Sequence, residues 1–559
     1  MRFISQLRGG VKRCQSLSAR SQTKLLAQNT RQKPILHFNS QGTIKSTTHI
    51  HYRNFSSSSH RMSDLPLFAE LTAPNGLKIK QPLGLFINNE FVKSVSGRTL
   101  TSVTPINDKE ITNVYAAQPE DVDIAVKAAR AAFEDPSWSE LSPADRGQLL
   151  YKLADLVDKH RDTLATLDTW DMGKPLSVCK EEDLAESINT FRYYAGWADK
   201  VTGKTIDVGP SKLVYTRHEP IGVCGQIIPW NYPLMMTAWK LGPALATGNT
   251  IILKSAEQSP LSALYLGQLI KEAGFPPGVV NILSGEGKTC GAAIASHEGI
   301  DKIAFTGSTF TGRAIMKAAS VNLKNITIET GGKSPLVIFD DADIEQAVKW
   351  AHIGIMSNSG QVCCATSRIL VQENVYDAFI NQFVDFTSKA SVIGDPFNED
   401  TSHGPQVSKL QYERVMEYVE KGKKEGAKLV LGGTSPNANF VSPTVFKDVE
   451  DHHTISQEEV FGPFVAISKF KTQEEAIKRA NCTSYGLGAA VFTKDITRAH
   501  KVAAKIEAGM VWINSSNDSH YAVPFGGVKQ SGIGRECGEY ALANYTNAKA
   551  IHVNLGTML

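Results

Sequence analysis

The chain has 559 residues, 42% of them hydrophobic, enough for a large buried core divided into two or more domains. Its net charge of +3 hides an asymmetry: residues 1–63 hold eleven of the 59 Lys and Arg and no Asp or Glu, leaving 48 basic against 56 acidic residues in the remainder. A mildly acidic remainder excludes nucleic-acid binding driven by net charge, and no run of 18 apolar residues is present to cross a bilayer as a helix.

Residues 1–61 are rich in Arg, Ser, Thr and Gln. Phe3, Ile4, Leu7 and Val11 share one face of a helix, with Arg8 and Lys12 beside it. A basic, acid-free, amphipathic start is the pattern of mitochondrial import, so residues 1–61 are expected to be a transit peptide processed near Arg53-Asn-Phe-Ser. Met62 is a candidate second start for a cytosolic form. The bland alternative is a basic tail kept in the mature protein.

From Ala116 to about Thr202 the text is helical, with Asp121–Phe133 and Arg146–Lys159 the clearest periodic stretches. Short apolar runs then alternate with helical stretches. Gly222–Pro229, Asn249–Leu253, Val279–Leu283, Lys302–Phe305 and Asn325–Glu329 are the strands. A helix passes through Trp239 and Leu245, a second is capped by Ser259, starts on Pro260 and closes at Gly274, and a third covers Thr311–Ala319. This is βαβ text around a parallel sheet. The alternation restarts with Ser334–Phe339, Asp343–His352, Ser367–Val371 and Tyr376–Lys389, which predicts a second α/β domain. After Tyr545, the alternation of Ile551, Val553 and Leu555 predicts an edge strand that needs a neighbour, one that another subunit can supply.

Several strand ends carry chemistry. Gly307-Ser308-Thr309-Phe-Thr-Gly312 follows a strand and opens a helix, the position where backbone N–H groups attract phosphate, although Thr309 stands where the dinucleotide fingerprint has its middle Gly. Glu257, after Leu253-Lys254-Ser-Ala, can accept from both ribose hydroxyls and repels a 2′-phosphate, which favours NAD over NADP. Cys363, in Gly360-Gln-Val-Cys-Cys364-Ala, is expected at a helix start with a lowered pKa, and so as a nucleophile. Cys364 is taken as a small buried hydrophobe. Glu329, followed by Thr-Gly-Gly, offers a general base. Asn231, in Pro229-Trp230-Asn-Tyr232-Pro, offers an NH₂ donor to a developing oxyanion. The eight Cys include no C-x-x-C pair and no Cys/His set with zinc spacing, so no metal is expected.

Taken in order, PWNYP, LKSAEQSPLSAL, FTGSTFTG, ETGGKSP, GQVCCATSR, EEVFGPF and PFGGVKQSGIGRE resemble the aldehyde dehydrogenase family from about Pro66 to the C-terminus, as does the 34-residue step from Glu329 to Cys363. The resemblance implies a Rossmann-like NAD domain (66–200 and 221–331), an α/β catalytic domain (332–544) and a small β oligomerisation domain (201–220 and 545–559) in a homodimer or homotetramer. It implies Cys363 as nucleophile, Glu329 as base, and Asn231 with the Cys363 N–H as oxyanion hole. It further implies Lys254, Glu257, Gly307, Ser308, Thr309, Gly312, Trp230, Glu459 and Phe461 as NAD-binding residues, and Lys240 with Glu536 as a proton relay.

The family's substrate pocket would correspond to Tyr232, Trp239, Ser357 and Phe525, with Ser519, His520 and Tyr521 on an adjoining loop. Ser357 stands where several relatives carry a large aromatic. No Arg is evident there for a substrate carboxylate. Acetaldehyde and other small aliphatic aldehydes are therefore the first expectation and arylacetaldehydes the second, with oxidation to the acid through a thiohemiacetal and a thioester. A silent structural relative and a CoA-acylating enzyme are the alternatives. Retention of Cys363 and Glu329 argues against both.

Overall fold

A computed structural model describes residues 65–559; the transit peptide expected in residues 1–61 and the start at Met62 lie outside the described residues. The molecule is α/β, organised around an eight-stranded sheet and a seven-stranded sheet.

Five parallel strands form the centre of the first sheet: Val223–Ile227, Thr250–Lys254, Val280–Leu283, Lys302–Thr306 and Asn325–Glu329. They lie in the spatial order third, second, first, fourth, fifth. This is the doubly wound order, and its direction reverses between Val223–Ile227 and Lys302–Thr306. In such sheets ligands bind outside the carboxyl ends of the strands at that reversal. Thr250–Lys254 and Val280–Leu283 are buried at every position, which is why apolar residues dominate them, with the buried Asn281 satisfied by the Ile251 and Gly278 carbonyls.

Lys302–Thr306, also buried at every position, and Asn325–Glu329 instead alternate in polarity. Ile303, Phe305, Ile326 and Ile328 line one face, while Lys302, Thr306, Asn325, Thr327 and Glu329 line the other. Antiparallel strands extend both edges: Leu85–Ile87 and Glu90–Val92 at one, Gly532–Ile533 at the other. The second sheet runs Lys428–Leu431, Thr444–Lys447, Phe464–Phe470, Arg368–Gln372, Pro335–Ile338, Gly488–Phe492, Met510–Ile513, and only its first pair is antiparallel.

One local expectation changes. Ser259 does not cap the helix that follows it. The helix is Leu261–Ala273, Pro260 sits at the cap position, and the Leu261 N–H donates to Asp171 Oδ2 at 2.9 Å. The other Asp171 oxygen accepts from Ser102 Oγ at 2.6 Å. A carboxylate from a separate helix thus replaces the local hydroxyl as cap. Asp171→Ala is expected to cost about 2 kcal/mol, the upper range for losing a cap, and urea unfolding measures it.

The C-terminal strand has one neighbour within its own chain and remains the edge strand of its sheet among the described residues. Thr546–Asn554 pairs antiparallel with Lys212–Pro220 of the same chain along its whole length, and Thr205–Ile206 completes a three-stranded sheet. Alternation had shown the strand but not its partner.

Candidate active site

The two sheets are joined by Thr330–Ser334, and this linker organises the site. Glu329 ends the last parallel strand of the first sheet and is buried. A Cβ on Gly331 would collide with the Glu459 carboxylate, and one on Gly332 would come within 2.8 Å of the Cys363 carbonyl oxygen. The Gly332 N–H donates to Glu459 Oε1 at 3.2 Å. Glycine is therefore required twice in succession, because the linker runs in contact with both the nucleophile loop and Glu459.

Cys363 does not start a helix. The helix Ile344–Met356 ends, the backbone turns left-handed at Asn358 (φ 48°), Ser359 (φ 53°) and Gly360 (φ 74°), and Cys363 lies in a turn before the strand Arg368–Gln372. Left-handed non-glycine residues store strain, which a functional loop justifies. Side-chain hydrogen bonds hold the loop in place. Gln361 Oε1 accepts from the Val407 N–H at 2.9 Å. Asn231 Nδ2 donates to the Gln361 carbonyl at 2.9 Å, and Asn358 Nδ2 donates to the Asn231 carbonyl at 3.1 Å. Asn231 is thereby fixed to the nucleophile loop, with one of its two amide N–H groups spent on Gln361. The expected lowering of the Cys363 pKa is also reversed. The neighbouring Cys364 thiol, then burial, push the Cys363 thiol well up, so the resting group is a thiol that needs a base.

The Glu329 carboxyl, expected as the base, is shifted in the same direction. Burial first, then the Glu536 charge, push the Glu329 carboxyl well above its ordinary range, and Cys363 is among the groups it feels. Glu536 pairs with Lys240 Nζ, which also donates to Thr306 Oγ1 at 2.7 Å. Among the described residues, Glu329 Oε1 and Glu536 Oε2 are buried without a hydrogen-bond donor.

The residues expected to hold a dinucleotide lie along the carboxyl edge of the first sheet. Lys254 ends one strand, with its Nζ 3.9 Å from Glu257 Oε2, while Glu257 Oε1 accepts from the Gly287 N–H at 2.7 Å. Gly307 follows another strand, and Ser308 caps the helix Thr309–Ala319 by accepting from the Thr311 N–H at 3.2 Å. That helix has no acidic residue in its first turn, as an anion site needs. A Cβ on Gly312 would meet the Thr330 methyl at 2.9 Å, so this glycine serves close packing of helix on strand end. Trp230 meets Phe461 edge-to-face at 5.4 Å. Phe461 has φ 61°, a strained state for an aromatic residue, and burial pushes the adjoining Glu459 carboxyl up to about 7. These residues fit a dinucleotide: a helix N-terminus for the pyrophosphate and a carboxylate for each ribose.

The residues expected to line a substrate pocket form two groups. Tyr232 and Ser357 border a cavity of about 180 Å³ that also meets Lys174, Glu182, Asp183 and His352. Lys174 Nζ lies 3.4 Å from the centre of the Tyr232 ring and pairs with Asp183. Trp239 and Phe525 are buried against each other, edge-to-face at 5.0 Å. Of the adjoining loop, Ser519 and His520 are exposed, and Tyr521 packs on Tyr193 at 5.7 Å.

The family model described as "Aldehyde dehydrogenase family" matches residues 91–551. The chain belongs to the aldehyde dehydrogenase family. An aldehyde dehydrogenase of Emericella nidulans is 57% identical over 501 residues, 89% of this chain and 100% of that one. The mitochondrial aldehyde dehydrogenase of Rattus norvegicus is 53% identical, with 84% of this chain and 91% of that one covered. The NAD+ complex structure of aldehyde dehydrogenase from Bacillus cereus is 51% identical with a TM-score of 0.84, covering 85% of this chain and 97% of that one. The enzyme is thus an oxidoreductase with the aldehyde dehydrogenase fold.

Some residues around this aldehyde dehydrogenase site were not singled out from the sequence. Gln361 and Asn358 hold Asn231, and Cys364, marked in the sequence only as a small buried hydrophobe, also acts on the Cys363 thiol. Thr306 is the partner of Lys240. Only Thr306 had a usable signal, the polar alternation of KIAFT beside NITIE.

Proposed function

We propose that the enzyme oxidises small uncharged aldehydes, acetaldehyde first and arylacetaldehydes next, to carboxylic acids with NAD+. The observation that carries this reading is the Gly331-Gly332 linker, which follows the raised-pKa Glu329 carboxyl and packs against both the Cys363 backbone and the Glu459 carboxylate. Glu329 takes the Cys363 proton, and the thiolate adds to the aldehyde carbon. The remaining Asn231 amide N–H and the Cys363 N–H receive the oxyanion, donors worth roughly 3–4 kcal/mol each in comparable chemistry. Bound NAD+ supplies the acceptor for the hydride that the tetrahedral adduct gives up. Collapse leaves a thioester on Cys363. Glu329, once its first proton has left, takes a proton from water, whose oxygen displaces the thiolate and completes the acid.

Lys254 and Glu257 are assigned to the adenosine ribose, Gly307, Ser308, Thr309 and Gly312 to the pyrophosphate turn, and Glu459 with Phe461 and Trp230 to the nicotinamide end. The cavity beside Tyr232 supports an uncharged substrate: its Lys174 is already neutralised by Asp183, and Glu182 opposes a carboxylate. NADH formation from a panel of aldehydes, with and without CoA, tests the reading. CoA-dependent thioester release in place of free acid would refute the hydrolytic step. Glu257→Ser is expected to raise kcat/KM with NADP about tenfold relative to NAD, because it removes a carboxylate that opposes the 2′-phosphate. An unchanged ratio would count against that assignment.

We further infer import into mitochondria from the charge bias of residues 1–63, with a second form starting at Met62; N-terminal sequencing of cell fractions decides it. The three-stranded sheet is assigned to homo-oligomer formation, which sedimentation measures.

A further inference from the structure

Lys302 is as buried as any residue in the molecule, with 0% of its surface exposed, and the reaction as drawn above has no use for it. Its Nζ donates to Thr327 Oγ1 at 2.7 Å and to Asn325 Oδ1 at 2.8 Å, and it lies 5.0 Å from the centre of the Tyr545 ring. The register of the first sheet places these groups. Thr306 stands beside Glu329, Ala304 beside Thr327 and Gln226, and Lys302 beside Asn325 and Cys224. Alternate residues of a strand share a face, so three rows of one sheet face run from Glu329 to Asn325. Glu329 is buried and Asn325 is exposed. Rows two residues apart are about 7 Å from one another, a step that one or two waters bridge.

The middle row is suited to such a bridge. Ala304 presents only a methyl group between the longer side chains of the rows on either side. Gln226 Nε2 donates to the Lys240 carbonyl at 2.8 Å and to Tyr545 Oη at 3.2 Å, tying the Lys240 end to the Lys302 end. Gln226 Oε1, Glu329 Oε1 and Glu536 Oε2 are buried acceptors without a donor among the described residues. Buried oxygens of that kind are the usual partners of ordered water.

We propose that Lys302, with Thr327, is the outlet of the proton path from Glu329, passing protons received through Glu536, Lys240 and Thr306 to solvent at Asn325. This rests on Glu329 being the base of aldehyde oxidation. The balance demands an outlet. Aldehyde and water become carboxylate, one hydride and two protons, and Glu329 can hold only one of those protons between turnovers. Burial, chiefly, brings the Lys302 ammonium down to about 8, so it can release a proton near neutral pH. Lys302 touches no reacting atom and acts only through the groups before it.

The test compares full-length wild type, Lys302→Met and Thr327→Val. NADH formation is followed in a single turnover, with enzyme in excess over NAD+, and at steady state over rising imidazole concentration at fixed pH and ionic strength. For Lys302→Met the expected result is a normal single turnover and a steady state lowered about tenfold, less than the ~10²–10⁴ of a group that moves the proton directly. Imidazole restores that loss, because it carries protons in place of the lysine. Thr327→Val shows a smaller loss with the same recovery, and it decides the matter if Lys302→Met does not fold. Steady-state rates within twofold of wild type overturn the proposal, as does a loss that includes the single turnover and ignores imidazole. A wild type that forms no NADH from any aldehyde overturns the reading of Glu329 itself, and the outlet with it.

Discussion

Cys363→Ala is expected to lower NADH formation from aldehydes by a factor of about 10⁴ or more, the scale on which covalent nucleophiles are lost. Cys364→Ala is expected to stay within about threefold. Both residues are small and sulfur-bearing, but they stand differently. Cys363 is partly exposed, and the Gly332 Cα packs against its carbonyl, whereas Cys364 is buried among apolar neighbours. Near-normal turnover in Cys363→Ala would defeat the nucleophile assignment.

The second variant carries a further sign. Cys364 is the first cause holding the Cys363 thiol up, so removing it lets the thiolate form at lower pH. The rate of alkylation by iodoacetamide should therefore rise at lower pH in Cys364→Ala than in wild type. An unshifted profile would mean that burial alone sets the thiol.

Much of the site was legible because several of its parts end strands. Lys254, Gly307 and Glu329 follow apolar or alternating runs whose period is plain in the text, and a parallel sheet gathers such ends at one edge. The environment of those residues was not legible. A lowered thiol pKa was expected for Cys363 because small polar neighbours suggested a helix start. The left-handed run Asn358–Gly360 makes a turn instead, and the adjacent thiol reverses the electrostatics. Asp171 caps a helix 90 residues away, and Thr546–Asn554 pairs with a strand far back in the chain. No local pattern encodes such partners, since they depend on tertiary packing. The polar face of Lys302, Thr306, Thr327 and Glu329 lies between these cases. Its alternation is visible in KIAFT and NITIE, but its meaning appears only when both faces of the sheet are found to be covered.

Glu329→Gln separates the two halves of the reaction. The amide keeps the shape of the side chain and removes the basic oxygen. NADH release in the first turnover should persist, because only one proton has to leave the thiol and solvent base can take it slowly. Steady-state turnover should fall by about 10²–10⁴, the usual contribution of a general base, because every hydrolysis of the thioester needs a deprotonated carboxylate. A normal steady state would remove Glu329 from the mechanism.

The same substitution has a consequence for stability. Burial, then Glu536, raise the Glu329 carboxyl in the folded state above its ordinary 4.5, so the folded state binds a proton that the unfolded chain gives up. The contribution of this group to stability is therefore full below the unfolded value and is lost as pH rises through the folded one. Gln carries no such proton. Relative to wild type, Glu329→Gln should gain stability as pH rises from about 4.5 through the folded value, read as a rising difference in urea midpoint. Activity and stability thus move in opposite directions at one residue, because the burial that tunes the base also penalises its charge. A midpoint difference that stays flat with pH would mean the carboxyl titrates as it does in the unfolded chain. The base would then have lost the physical reason for its tuning.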